Sequence, residues 1–313
     1  MMPSVSVVIP VFCSEESIGL LVQQLAEALP KITDCYEVIL VEDNGDDGSW
    51  QVVESLAAEF DWVRGYKLMR NYGQHSALLC GIRAAKYETI VTMDDDLQHP
   101  VERIPSLLAP LSEGFDVVYG TPQRPRHSPL RNLATMITKW VLTGAMGAEI
   151  AQSISAFRAF RTGLRDSFAT YNGPLVNIDV LLTWGTTRFT AISTPHAARP
   201  LGKSNYSLGK LITHTFNLLT GFSTLPLRFA SAIGLLLTLF GFVILTYILL
   251  SQILAFQFEV PGFTFTVSLI SIFAGAQMFT LGIIGEYLAR MHLRIMDKPA
   301  YIVRQSTEDE DSV

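Results

Sequence analysis

The sequence predicts an α/β domain built on a mostly parallel sheet, followed by a C-terminal two-helix transmembrane hairpin. Three observations carry this. Short apolar, β-branched runs alternate with helix-period segments over residues 5–119. Acidic loops follow directly after those runs. The third is composition: 49% of the residues are hydrophobic and only 17% charged, and the charge shortfall lies almost entirely after residue 226. A soluble domain carries roughly a quarter charged residues. The 313-residue chain, with mean hydropathy +0.31, therefore reads as a soluble domain with an apolar tail.

The elements follow in order. Residues 5–9 form a first strand. Residues 17–29 carry apolar side chains at Ile18, Leu21, Val22, Leu25, Ala26 and Leu29, which is helical spacing. Residues 36–41 make a second strand, 50–60 a second helix, 66–68 a short third strand and 76–86 a third helix. Residues 89–93 form a buried fourth strand, and 116–119 another. Such alternation implies a mostly parallel sheet with helices on both faces. In these sheets ligands bind beyond the carboxyl ends of the strands. The segments in that position are residues 10–15, 42–48 and 94–98.

The third of these is Asp94-Asp95-Asp96-Leu97-Gln98. Three adjacent carboxylates repel one another, and a divalent cation resolves the conflict. Mg²⁺ or Mn²⁺ suits oxygen ligands and commonly takes one or two carboxylates plus substrate phosphates. In an extended segment Asp94 and Asp96 face one site and Asp95 the other side. Gln98 adds a neutral oxygen. The Glu42-Asp43 loop is either an ordinary Asp-rich turn, which Gly45 and Gly48 suit, or a carboxylate at Asp43 placed to accept a nucleobase N–H. His75 and His99 read as structural or hydrogen-bonding residues.

Residues 229–256 and 263–285 carry no charge, and each exceeds the roughly 20 residues that span a bilayer. The connector contains Pro261-Gly262, a turn signal. Arg228 precedes the first segment; Arg290, His292, Arg294 and Lys298 follow the second, and the connector has neither Lys nor Arg. Positive-inside logic puts both ends in the cytoplasm. Residues 206–227 read as an amphipathic juxtamembrane helix. Residues 135–146 read as another such helix or as one packed on the domain. The organisation expected is thus a domain over 1–205, the juxtamembrane helix, two membrane helices within 228–290, and a cytoplasmic tail over 291–313. Its acidic run at 308–311 reads as solvated and disordered.

The net charge of -6 argues against nucleic acid as a partner. Three widely spaced cysteines, Cys13, Cys35 and Cys80, have no metal or redox spacing and fit a reducing compartment. No signal-peptide pattern opens the chain.

Read in order, VVIPVF, VILVEDNGDDGSW, RNYGQHSALLCGI and VTMDDDLQHP resemble the family-2 glycosyltransferases of GT-A fold. Within them the chain is most similar to polyisoprenyl-phosphate glycosyltransferases, the group with dolichol-phosphate-mannose synthases and bactoprenol glucosyltransferases. The likeness continues through RPLGKSNYSLGKLI, TLPLRFAS and LGIIGEYLARMHLRIMDKPAYIV, from Val5 to about Val303. It implies that Pro10, Phe12, Val41 and Asp43 line the nucleotide, with Asp94 and Asp95 also on the donor side. Asp94, Asp96 and Gln98 would hold Mg²⁺ or Mn²⁺ and the diphosphate. Arg199 would reach the diphosphate, with Ser204 beside it. Arg131 and Thr135 would cradle the acceptor phosphate, with Arg124 as a second arginine. Asp96, Arg131 and Arg199 are the residues expected to carry catalysis. The chain departs from the family pattern at Cys13-Ser14, where Asn-Glu is usual, at Gln152, where Asp is usual, and at Asn205, where Lys is usual.

The reaction this implies is transfer of a hexose, glucose from UDP-glucose, onto polyisoprenyl (undecaprenyl) phosphate at the inner membrane, by a protein that is a homo-oligomer. Formamido-arabinose or mannose is the rival sugar, and an inactive scaffold or transport component the rival class. A lipid phosphate is already anionic at pH 7, so it needs positioning and charge neutralisation rather than a general base. Arginine forks supply that. A single displacement with inversion follows.

Overall fold

The structure is a computed structural model, and it describes residues 3–122, 153–195, 225–253 and 262–308. In chain order the elements are β1 (Val5–Val11), α1 (Ile18–Ala28), β2 (Tyr36–Glu42), α2 (Ser49–Glu59), β3 (Val63–Leu68), α3 (Gln74–Ala84), β4 (Thr89–Thr92), α4 (Ile104–Ser112), β5 (Val117–Pro122), β6 (Arg158–Arg161), α5 (Ile178–Gly185), β7 (Phe189–Thr194), α6 (Leu225–Ile253), α7 (Gly262–Ile295) and β8 (Val303–Ser306). The eight strands form one sheet in the order β7-β5-β6-β4-β1-β2-β3-β8. β1 to β4 are mutually parallel, as are β5 and β7. β6 runs antiparallel between β4 and β5, and β8 runs antiparallel on the outer edge of β3. The mostly parallel α/β expectation holds, and the two antiparallel strands are additions to it.

The strands lie where apolar β-branched runs predict them because a sheet covered on both faces buries every position. All seven residues of β1 are buried. Its one hydroxyl, Ser6, is satisfied by Glu37 at 2.6 Å. α1 buries Ile18, Leu21, Val22 and Leu25, one stripe at helical spacing. α3 is buried along most of its length and presses closely on the sheet: a Cβ on Gly81 would stand 2.4 Å from Val8 Cγ1.

The sheet also makes a cleft. Chain order runs β1-β2-β3 to one side and then crosses to β4 on the other, a topological switch point of the kind that hosts ligands. β4 stops at Thr92, paired with Val8, whereas β1 continues to Val11. The carbonyl of Val8 accepts from Met93 N at 3.3 Å, so even-numbered residues of this stretch direct their backbone toward β4. Pro10, two residues on, faces the gap that opens once β4 has ended. A proline is tolerated there because no ladder bond is required of it.

The C-terminus departs from expectation. Among the described residues, 297–308 are not a detached tail: they join the compact unit of β1 to β7, while α6 and α7 form the second unit. Main-chain bonds join Met69 N to Ile302 O (2.9 Å) and Thr307 N to Gly65 O (3.0 Å). Glu308, read from the sequence as part of a solvated acidic run, is instead held by Arg64 (2.7 Å), Tyr66 (2.5 Å) and Lys86 (3.0 Å). Cations of β3 and α3's end attract it; residues 309–313 lie outside the described residues. Partial burial pushes the Glu308 carboxyl up, but the hydrogen bonds from Arg64, Tyr66 and Lys86 outweigh it and hold the group at about 2, against an ordinary 4.5. A carboxyl depressed in the folded state stabilises above its unfolded value and ceases to do so as pH falls through the folded one. Glu308→Gln is therefore expected to cost about 1–2 kcal/mol at neutral pH. The gap from the parent should close between pH 4.5 and about 2. Thermal melts across that range check it; a gap that persists at low pH would exclude this ion pair as its source.

The second unit holds α6 and α7, which pack on each other, with the Phe273 ring 4.0 Å from the Cβ position of Gly241. Among the described residues, and leaving aside each helix's own nearby backbone, no atom lies within 4 Å of the Cβ positions of Gly234, Gly275 or Gly282. α7 continues ten residues past 285 to Ile295, and Glu286 is paired with Arg290 one turn on, at 2.5 Å. Large apolar side chains stand exposed along both helices, among them Leu236, Val243, Ile270, Met278 and Phe279. Ile272–His292 is long and apolar enough to cross a membrane, with mean hydropathy 1.3 and none of it buried; Pro226–Gly241 is a shorter apolar stretch of α6.

Candidate active site

Four parallel strands deliver their following loops to one edge. After β2, the Glu42 carboxylate is buried and folds back to accept from Gly45 N at 2.5 Å. Burial raises its pKa, against the pull of that amide and of Lys67. Asp43 is 3% exposed, and its two oxygens accept from Tyr72 N and Gly73 N, each at 2.7 Å. Burial pushes its carboxyl up to about 6, although the two amides pull it down. Asp43 thus ties the β2 loop to the entry of α3. That entry needs a glycine, since Gly73 has φ +93°. A carboxylate has about four acceptor positions, so these two bonds leave Asp43 capacity for a further donor.

The acidic loop is not extended as expected. Its strand ends at Thr92, and Leu97 adopts φ +60°. Asp96 Oδ1 accepts from Gln98 N at 3.2 Å, which makes the segment a turn. The period-two argument for its side chains therefore fails, although its separation of Asp95 from its neighbours stands for a different reason. Asp94 Oδ1 accepts from Gln74 Nε2 at 2.5 Å, across the cleft from α3. Asp95 turns inward, where its Oδ2 accepts from Phe12 N at 3.2 Å and from the Ser14 hydroxyl. Burial raises its pKa, against those two bonds. Among the described residues no three His, Cys, Asp or Glu side chains gather as a ready metal cage. Asp94 and Asp96 nevertheless offer hard carboxylate oxygens at the carboxyl edge of a central strand, the donor type that Mg²⁺ or Mn²⁺ takes beside a phosphate.

Of the residues expected at the nucleotide, Phe12 is 42% exposed at the rim, beside Cys13 with φ +54°. The Pro10 and Val41 side chains are buried. Val41 packs beneath, close to Gly81 of α3, so only its backbone reaches the edge. His75 Nδ1 accepts from Ile178 N at 3.3 Å, and His99 stacks on Phe157 with ring centroids 5.1 Å apart. Both do structural tasks. Arg124, Arg131, Thr135, Gln152, Arg199, Ser204 and the helices read at 135–146 and 206–227 lie outside the described residues, apart from 225–227, which begin α6.

Two features escape sequence reading. One is the chain of bonds from Asp95 through Ser14 to Ser49 and Asp47. The other is Arg158, 2% exposed on β6, which pairs with buried Asp179 of α5 and donates from Nε to Thr92 Oγ1 at 3.0 Å. The Tyr119 hydroxyl joins it, donating to Asp179 at 3.0 Å. Arg158 opening β6 directly before Ala159 and Phe160 is the only local signal of the second feature, and its partner is 21 residues away.

A parallel sheet with a switch-point cleft, acidic turns after β2 and β4, and an antiparallel strand inserted beyond β4 define a glycosyltransferase of GT-A type. Residues 6–163 match the family described as Glycosyl transferase family 2. The chain belongs to that family, and is an enzyme of the glycosyltransferase class. It is 34% identical over 304 residues to the undecaprenyl-phosphate 4-deoxy-4-formamido-L-arabinose transferase of Proteus mirabilis, covering 96% of this chain and 93% of that one. The transferase of the same name from Photorhabdus laumondii is 32% identical over 308 residues, 97% and 94% of the two chains. Among solved structures, glucosyl-3-phosphoglycerate synthase from Mycobacterium tuberculosis, crystallised with Mn²⁺, UDP and glucosyl-3-phosphoglycerate, superposes with a TM-score of 0.52 at 18% identity. It covers 70% of this chain and 78% of its own, a likeness of fold.

Proposed function

We propose that this protein transfers a 4-deoxy-4-formamido-L-arabinose-type sugar from its UDP-linked donor to undecaprenyl phosphate at the cytoplasmic face of a membrane. The observation that carries the reading is the extent of the likeness. About a third of the residues agree with the formamido-arabinose transferases over 96% of the chain. A likeness that long takes in the helical unit and β8 as well as the sheet. It favours this sugar over glucose, the hexose the motifs first implied. Asp94 and Asp96 argue against an inactive scaffold.

In the mechanism, Asp43 and the backbone at Pro10 and Val41 seat the nucleotide, with Phe12 at the rim. Asp94 and Asp96, with Gln98 beside them, are the residues that would hold Mg²⁺ or Mn²⁺. Such an ion supplies charge neutralisation to the departing diphosphate. Arg199 and Ser204 approach the same group. Arg131, Thr135 and Arg124 grip the acceptor phosphate. Its oxygen attacks the anomeric carbon once, with inversion, as the bond from that carbon to the diphosphate oxygen breaks and UDP leaves; holding two anions in register supplies much of the rate.

Chain topology supports a membrane hairpin. β8 pairs with β3 in the catalytic sheet, so the chain must re-emerge from any membrane on the side where it entered. If Ile272–His292 crosses once, a second crossing is needed between residues 213 and 271, and α6 is the long helix described there. The exposed apolar side chains on both helices then face lipid, and Arg228, Arg290, Arg294 and Lys298 lie toward the cytoplasm.

The test is a donor panel with purified protein, undecaprenyl phosphate and Mn²⁺. Product is expected from UDP-4-deoxy-4-formamido-L-arabinose, with kcat/KM at least about tenfold above UDP-glucose. One lost polar contact in a sugar site is enough for that ratio. Equal or better transfer from UDP-glucose would restore the hexose reading. No transfer from any donor would leave the scaffold.

A further inference from the structure

Asp95 is the carboxylate of the acidic turn for which the proposed chemistry has no use, and it is the one turned inward. Its Oδ2 takes Phe12 N and the Ser14 hydroxyl, both from the loop after β1. Ser14 is buried, and its own N–H donates to Ser49 Oγ at 2.8 Å. Ser49, fully buried at the start of α2, donates in turn to Asp47 Oδ2 at 2.8 Å. Asp47 Oδ2 also accepts Glu15 N at 3.2 Å, and Glu15 reaches back to Gly48 N at 3.0 Å. Donors and acceptors alternate correctly along this path, so the three loops after β1, β2 and β4 are joined by a single polar strap.

The placement has a cost. A half-buried carboxylate beside Asp96 is repelled by it and has given up part of its water. Its return is geometric. The loop after β1 carries the nucleotide's rim, and the turn after β4 carries the two cation ligands. The strap sets the distance between them. We propose that Asp95 is a positioning residue that holds the acidic turn in register with the nucleotide's seat through Ser14. This rests on the reading of Asp94 and Asp96 as the cation's ligands, and the two can fail separately.

The experiment titrates Mn²⁺ against the full-length protein with UDP, by the electron-spin-resonance signal of free Mn²⁺, in parallel with steady-state kinetics. Removing a residue that orients metal ligands typically weakens the metal about 10–100-fold. Asp95→Ala is expected to raise the half-saturating Mn²⁺ by that factor and to raise the donor KM, leaving the lipid KM unchanged. Ser14→Ala should shift both in the same direction by about three- to tenfold, since the bond to Phe12 N remains. Asp95→Asn, whose amide oxygen can accept the same two bonds, should recover most of the loss. A merely structural residue would lower the melting temperature without separating donor from lipid KM.

If Asp95→Ala, or Ser14→Ala should the first not fold, keeps Mn²⁺ half-saturation and donor KM within twofold of the parent, the proposal is wrong. It is equally wrong if Asp95→Asn is as impaired as Asp95→Ala, because charge rather than bonding would then be the cause. If the parent protein itself retains no Mn²⁺ with UDP, the ligand assignment fails and takes the proposal with it.

Discussion

Asp96→Ala is expected to reduce sugar transfer by at least about a hundredfold, the loss typical when one preorganised electrostatic contact to a leaving group is removed, or ~3 kcal/mol in the barrier. The carboxylate has two tasks, and they can be separated. Its Oδ1 closes the turn by accepting Gln98 N at 3.2 Å. Its charge is what a divalent ion requires. Asp96→Asn keeps an oxygen for Gln98 N, so the turn survives, but it removes the charge. Both variants should therefore be equally inactive, with the asparagine form melting near the parent temperature. Asp94→Asn should behave alike, although its side chain also meets Gln74 Nε2 from α3. An Asp96→Asn protein with near-normal kcat would undo the metal assignment; an inactive one that has also lost its fold would shift the cause to the turn.

The largest stability effect is expected at the buried pair beneath this turn. Asp179→Ala strands a guanidinium that is 2% exposed, beside Thr92 and Tyr119. Breaking such a pair from one side costs about 3–5 kcal/mol, because an uncompensated charge stays buried. Replacing both partners by apolar groups is often close to neutral. Asp179→Leu combined with Arg158→Met should therefore melt well above Asp179→Ala alone. Thermal melts of Asp179→Leu, Arg158→Met and the double close the cycle. A double variant no more stable than the single would mean the pair's hydrogen bonds, not its charge balance, hold this corner. Thr92 is two residues before Asp94, so the single variant should lose donor affinity as well.

Much of the sheet was legible in the sequence because its signals are local. A buried parallel strand reads as an apolar β-branched run, and α1 announces itself at Ile18, Leu21, Val22 and Leu25. The loops after β1, β2 and β4 were legible as a site for the same reason: strand direction alone carries them to one edge. Boundaries shifted where a cap or turn intervened, as at Thr92, where β4 ends before the acidic residues and Leu97 takes a left-handed conformation.

What the sequence determined by itself was the alternation of β1 to β5 with α1 to α3, the clustering of acidic loops at one sheet edge, and two long apolar segments, since each follows from residues within a few positions of one another; α4, α5 and β6 to β8 were not read from it. Tertiary structure alone decided which carboxylates face the cleft, that Arg158 finds Asp179, and that Glu308 is paired rather than solvated. Those outcomes depend on partners brought together from far apart, Glu308 and Arg64 being 244 residues distant. A charge has the same signature in the chain whether water or a distant arginine will meet it; only packing settles which.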